Sequence, residues 1–183
     1  SHAGFGSRRA CEELILAERV RLNGQIARIG QKADPQNDRI EVDGRAVQTA
    51  EAPMYIMLHK PRGVVSTVTD PFGRQTVRDL VEAPGRLYPV GRLDEDSEGL
   101  ILMTNDGELA NMLTHPRYEH EKEYRVLVAR RPDLEQLEAW RRGVVLEDGT
   151  RTLPADVQSQ DTSGKGQWLR VIMKEGRKRQ IRE

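Results

Sequence analysis

"GRLDEDSEGLILMT", residues 91–104, sets Asp94, Asp96 and Glu98 at alternate positions, then Gly99, then an unbroken apolar run. The run is short and bounded by Gly99 and by Asn105-Asp106-Gly107, so it reads as a buried strand. Three readings of the acidic turn compete. A calcium loop needs oxygen ligands at alternate positions, a glycine at the sixth and a bidentate acid at the twelfth. Counting from Asp94, Gly99 is sixth but Asn105 is twelfth, and a strand does not wrap a cation; that reading fails. A solvated turn is the ordinary fate of clustered charge. The third reading is the housing of one reactive carboxylate. Arg92 stands two before Asp94, Gly91 and Gly99 allow tight backbone, and apolar residues flank both ends. One carboxylate can then lie at the edge of a core while Asp96 and Glu98 stay wet.

Upstream, "MYIMLHKPRG" (54–63) is a strand entering a turn, "VVSTV" (64–68) a second strand and "DPFG" (70–73) another turn. "TVRDLV" (76–81) reads as a short helix, and "RLYPV" (86–90) leads into the acidic turn. Downstream, "NDGELANMLTHP" (105–116) is a helix ended before Pro116, and "EKEYRVLVA" (121–129) alternates as a strand. "RPDLEQLEAWRRG" (131–143) predicts a helix with Pro132 near its first turn and Leu134, Leu137 and Trp140 inward. Short strands follow around Val144, around Val157 and in "WLRVIM" (168–173), before the basic "KEGRKRQIRE" (174–183). Strands outnumber helices and hairpin-length turns join many of them, which favours an α+β fold.

The first residues have a different pattern. In "GFGSRRACEELILAERV" (4–20), Ser7 is placed as N-cap of a helix with an apolar stripe of Ala10, Leu14 and Ala17 beside Cys11 and Ile15. "RVRLNGQIARIG" (19–30) is a hairpin about Asn23-Gly24, Asp34-Pro35 breaks the chain, and "RIEVDG" (39–44) is a last short strand. So small a unit has a thin core. "RAVQTAEAP" (45–53) reads as the linker.

Composition fits this division. Hydrophobic residues make up 37% and charged residues 32% of the 183, which suits two small cores better than one large one. The formal net charge is zero, so no global field announces a nucleic-acid partner. Cys11 is the only cysteine, which excludes an internal disulfide. No apolar run approaches the ~20 residues of a membrane span, and nothing resembles a signal peptide. A soluble, cytoplasmic protein is expected.

Several blocks in order carry a family likeness. "YIMLHKPRGVVST" (55–67), "YPVGRLD" (88–94), "SEGLILMTNDGELANMLTHP" (97–116), "EKEYRV" (121–126) and "GRKRQIR" (176–182) resemble the bacterial ribosomal pseudouridine synthases. "GFGSRRACEELILAERVRLNG" (4–24) resembles their S-four-like RNA-binding module. Ser97 stands where relatives usually carry threonine, which keeps the hydroxyl.

The likeness implies an S-four-like RNA-binding domain over residues 1–48, lacking its first residues. It implies a pseudouridine synthase catalytic domain over 49–183, with a mixed, mainly antiparallel sheet flanked by helices and loops and its C-terminal part missing. A chain clipped at both ends is expected to hold Arg182 poorly and to have little activity. The implied reaction isomerises a specific uridine of ribosomal RNA, in the large subunit, to pseudouridine. The C–N glycosidic bond breaks, the bound uracil rotates and a C–C bond forms, with no cofactor and no metal. The expected partner is ribosomal RNA, with no membrane, and the protein is expected to be a monomer.

The same likeness assigns residues. Asp94 is the catalytic carboxylate, as nucleophile toward sugar or base or as a base assisting elimination. Arg182 is the cation that keeps it ionised, against a plain reading as part of a solvated tail. Tyr124 stacks on the extruded uracil, although strand alternation alone puts its ring toward the core. Arg92 meets the RNA backbone or fills the gap left by the flipped base, unless it forms a structural salt bridge. Lys60 and Arg62 contact phosphates, where the bland alternative is surface charge. In the module, Ser7, Arg8, Arg9, Arg19, Arg21, Asn23 and Lys32 face RNA, although Glu12, Glu13 and Glu18 also permit a merely solvated face. His59, His115 and His120 have neither metal spacing nor a nucleophile partner and read as structural. Two other functions stay in view: an RNA-binding adaptor without chemistry, and a glycosidase using two carboxylates. The second is disfavoured because acids in one turn cannot straddle a sugar.

Overall fold

The computed structural model describes residues 5–34, 37–47, 52–164, 166–177 and 179–182. The chain divides into two compact units, residues 1–107 and 108–183.

The first unit opens with α1 (Arg8–Leu16), capped by Ser7, whose Oγ accepts from the Ala10 N–H at 3.1 Å. β1 (Val20–Leu22) and β2 (Gln25–Ile26) form a hairpin on Asn23-Gly24, whose φ values of 51° and 83° are those a two-residue turn of right-handed twist requires. β3 (Ile40–Val42) pairs antiparallel with β1, and β4 (Arg45–Ala46) with β3, giving the order β2-β1-β3-β4. Asp43-Gly44 is therefore a hairpin corner, and residues 45–46 belong to the sheet and not to the linker. The remaining linker residues 48–51, and Pro35, lie outside the described residues.

The rest of this unit is built on β5 (Tyr55–Lys60), β6 (Tyr88–Val90) and β7 (Gly99–Thr104) in the order β5-β7-β6. The apolar run after the acidic turn is thus the central strand, in register Tyr55↔Thr104 through Lys60↔Gly99. Its inward residues Ile101 and Met103 join Val64, Val77, Val81 and Leu87 in the core. Asn105, which argued against calcium, fixes the entry to β5: its Oδ1 accepts from Met54 N–H at 2.8 Å and its Nδ2 donates to Ala52 O at 3.0 Å.

Two expected elements here do not form. "VVSTV" makes only a parallel bridge, Val65↔Thr76, and "TVRDLV" is a chain of turns. The Asp79 carboxylate takes the N–H and hydroxyl of Thr76, and the Arg78 guanidinium donates to the carbonyls of Val81, Ala83 and Gly85. Side chains that satisfy the backbone locally remove the advantage of a helix.

α2 (Gly107–Thr114) ends before Pro116, at the start of the second unit. β8 (Lys122–Val128), α3 (Leu134–Arg142), β9 (Asp156–Ser163) and β10 (Gly166–Met173) follow, with the sheet order β8-β10-β9. Leu137, Val157, Leu169, Val171 and Met173 form its core, with Trp140 packed against it. Asp133 and Gln136 make a capping box at the start of α3. Leu134 is 78% exposed instead of inward. It is the first helical residue, whereas α3 is tied to β9 at its other end, where Arg141 donates to Val157 O.

Every strand pairing among the described residues is antiparallel. Residues 49–183 thus carry a three-stranded antiparallel sheet in each unit, with one isolated parallel bridge at Val65↔Thr76, in keeping with the mainly antiparallel α+β fold expected. No helix among the described residues is long and apolar enough to cross a membrane.

Candidate active site

β6 ends at Val90 and β7 begins at Gly99, so residues 91–98 span the mouth of one antiparallel pair. This turn is held from several sides. Ser97 N–H donates to Asp94 O at 3.0 Å across it. The Ser66 hydroxyl donates to Leu93 O at 2.7 Å and accepts from Leu93 N–H at 3.1 Å. Gly63 N–H donates to Glu95 O at 2.9 Å, and Arg74 Nη1 to Glu95 Oε2 at 3.0 Å.

Beneath the turn lies Lys60, the last residue of β5 and wholly buried. Its Nζ donates to Pro61 O at 2.9 Å, Glu95 O at 3.2 Å and Ser97 O at 2.7 Å. Burial lowers its pKa, while the negative charges of Glu95, Asp94 and Asp96 pull the other way. A phosphate contact was expected of Lys60, but an enclosed ammonium with all three protons directed at carbonyl oxygens belongs to the framework of the turn. Arg62 and Arg92 are exposed, Arg62 lying 3.4 Å from the exposed Glu98. The acids divide by position: Asp94 and Glu95 are half-buried, Asp96 and Glu98 exposed.

In the second unit, Tyr124 on β8 pairs with Val171 and packs half-buried against the core. Arg182 is exposed, but its backbone is held. Its N–H donates to Arg179 O at 2.7 Å, and Ile181 packs on the cluster that Tyr124 adjoins. Gln180 Nε2 reaches Glu175 Oε1 at 2.7 Å, and that oxygen also accepts from Leu153 N–H. The backbone around residues 179–182 thus lies against its sheet, while the Arg182 side chain itself is exposed. His115 caps a short 3-10 turn through Nδ1, His120 Nε2 meets Met112 O, and His59 is exposed.

In residues 1–48, the residues expected to face RNA fall into two sets. Arg8, Arg9, Arg21 and Lys32 are exposed, Arg21 also donating to Gly24 O. Ser7, Arg19 and Asn23 are engaged within the fold. Ser7 caps α1, Arg19 grips Asp43 with two bonds of 2.8 and 2.6 Å, and Asn23 joins Asp38 and Arg39 N–H. An open cleft of about 1070 Å³, with Ile15, Ile26 and Ile29 among its walls, also has Arg21 and Arg28 in its lining. Arg28 went unremarked in the sequence, as did Ser66 and Arg74; no motif marks a hydroxyl that meets the backbone of Leu93 or a guanidinium that reaches Glu95, 27 and 21 residues away.

A family model described as RNA pseudouridylate synthase matches residues 54–183, and a model described as S4 domain matches residues 1–40. The chain belongs to the RNA pseudouridylate synthase family and is an isomerase of that class. Among its relatives is a protein of Bacillus subtilis (strain 168) named ribosomal large subunit pseudouridine synthase B, 44% identical, the match covering 100% of this chain and 75% of that one. A Pseudomonas aeruginosa protein of the same name is 40% identical, with 98% of this chain and 48% of the relative covered. A solved pseudouridylate synthase shares 28% identity at a TM-score of 0.58, over 98% of this chain and 76% of the other.

Proposed function

We propose that the chain converts a specific uridine of large-subunit ribosomal RNA to pseudouridine, with Asp94 as the reacting carboxylate. The observation that supports this best is the turn itself. Lys60, Ser66, Gly63 and Arg74 hold its backbone and flank so that Asp94 is half-buried beside Glu95, whose carboxylate Arg74 takes, while the acids at 96 and 98 are wet. Such preorganisation suits a group that must meet a ribose or a base in one geometry.

The reaction is internally balanced. The C1′–N1 bond breaks, the uracil turns within the site, and C1′–C5 forms; C5 loses a proton and N1 gains one. No electrons leave the substrate, so no redox partner is involved. Nucleophilic attack and assisted elimination both require Asp94 ionised. Tyr124 and Arg182 keep the roles given by the family likeness: an aromatic face for the base and a cation for the reacting carboxylate. Arg92 and Arg62 serve the RNA backbone or the space left by the flipped nucleotide. Residues 1–48 capture RNA through Arg8, Arg9, Arg21 and Lys32, and 49–183 perform the chemistry. The protein works in the cytoplasm as a monomer.

The test is incubation with an unmodified transcript of large-subunit ribosomal RNA, followed by mapping of pseudouridine. One modified position is expected, lost in Asp94→Asn with RNA binding retained. Tight binding without product would favour an adaptor, and free uracil a glycosidase; either sinks the proposal.

A further inference from the structure

The chain has two phenylalanines, and one of them, Phe72, is 82% exposed. Its loop is not loosely built. The Asp70 side chain is only 4% exposed, and its carboxylate accepts from Phe72 N–H at 3.0 Å and Arg74 N–H at 3.0 Å. It also accepts from the Arg74 guanidinium, at 3.2 Å from Nε and 2.7 Å from Nη2. Those Arg74 bonds first, and the two backbone N–H groups after them, bring the Asp70 carboxyl down to about 2, against the desolvation that opposes them. Gly73, at φ 72°, lets the chain turn back.

Arg74 connects this loop to the acidic turn. Its guanidinium lies 5.5 Å from the centroid of the Phe72 ring and donates to Glu95, the residue after Asp94. The exposed ring therefore stands one arginine side chain away from the turn of the reacting carboxylate, on a backbone whose conformation is already determined.

We infer that Phe72 is a stacking platform for an unpaired nucleobase of the RNA beside the isomerised uridine, with Arg74 orienting the ring. This rests on the RNA reading above and deepens it. Chemistry on a base requires the nucleotide to leave its stack, which exposes the faces of its neighbours. An aromatic ring accepts any such face, and an adjacent guanidinium strengthens the contact. A ring held in place beforehand loses little entropy on binding.

The test uses the 183-residue chain and the same unmodified transcript, comparing Phe72→Ala, Phe72→Leu and Phe72→Tyr by RNA binding and by pseudouridine formation. Loss of one stacked base is expected to weaken binding about 5- to 150-fold in Phe72→Ala. Phe72→Tyr should bind like the parent, Phe72→Leu should not recover, and all melting temperatures should match because the ring is exposed. Binding by Phe72→Ala within about twofold of the parent overturns the inference. So does recovery by leucine equal to that by tyrosine, which marks a merely apolar contact. A parent that shows the expected Phe72 dependence but forms no pseudouridine sinks the isomerase reading and leaves the platform standing. A parent that forms pseudouridine and is indifferent to Phe72→Ala does the reverse. A parent that fails to bind the transcript overturns both.

Discussion

The RNA-binding module and the sheet around the acidic turn hold themselves together by different means. In the module, α1 buries no residue fully, and Val42 is the one hydrophobic side chain at core burial among its described residues. Its shape is secured by polar pins near water: Ser7 on Ala10, Arg19 on Asp43, Asn23 between Asp38 and Arg39. Around β5-β7-β6 the order is reversed. Six apolar side chains are buried together, and a lysine ammonium is enclosed with them. A small unit cannot exclude enough water to rely on apolar area, so turn and cap chemistry determine its form. Where burial is deep, an unsatisfied polar group is costly, and one lysine can therefore dictate the path of a loop.

The largest test of that contrast is Lys60→Met. It leaves the carbonyls of Pro61 and Ser97 without their donor, at a cost of about 3 kcal/mol. For a chain of this size the melting temperature should fall by roughly 6–12 °C, and catalysis should fall further than stability explains, since the Asp94 turn loses its inner support. An unchanged melting curve would remove Lys60 from the framework.

Next comes Asp70→Asn. The folded carboxyl sits at about 2, below the ordinary 3.8, so its contribution is fully present above about pH 4 and fades as pH falls toward 2. The variant should be less stable than the parent at neutral pH, and the gap should narrow on acidification between those limits. Urea midpoints across that range measure it; a constant gap would mean that the carboxylate charge is not what closes the Phe72 loop.

The smallest effect is expected in the module. Ser7→Ala removes one cap at about 1 kcal/mol, and amide exchange in α1 should quicken roughly fivefold while β5-β7-β6 is unaffected. If exchange in α1 stays as slow as before, the Ser7 cap is not one of the pins that secure the module.

Much was legible along the chain because it depends on neighbours in sequence. Ser7 before an amphipathic stretch, Asn23-Gly24 between two short runs, and "LILMT" between turn residues all became the elements they suggested. The misreadings were local patterns overruled from a distance or by competing side chains. Residues 76–81 have helical composition, yet Asp79 and Arg78 satisfy the backbone in turns. Leu134 has helical spacing but sits at the end of α3 away from the Arg141–Val157 tie. "HKPRG" looks like a basic surface turn, and nothing in those letters separates the exposed Arg62 from the enclosed Lys60.

By itself, the order of residues determined that Asp94 would stand in a tight acidic turn ahead of a buried strand, because glycine placement and apolar runs act over a few positions. Only the tertiary structure decided what holds that turn. Lys60, Ser66 and Arg74 lie 20 to 34 residues before Asp94 in the chain, and strand pairing at Lys60↔Gly99 is what brings a buried ammonium under the carbonyls of Glu95 and Ser97. A cation reaches so deep a position only when acceptors from elsewhere in the fold replace its water, and that condition is written in three dimensions rather than in any short stretch of letters.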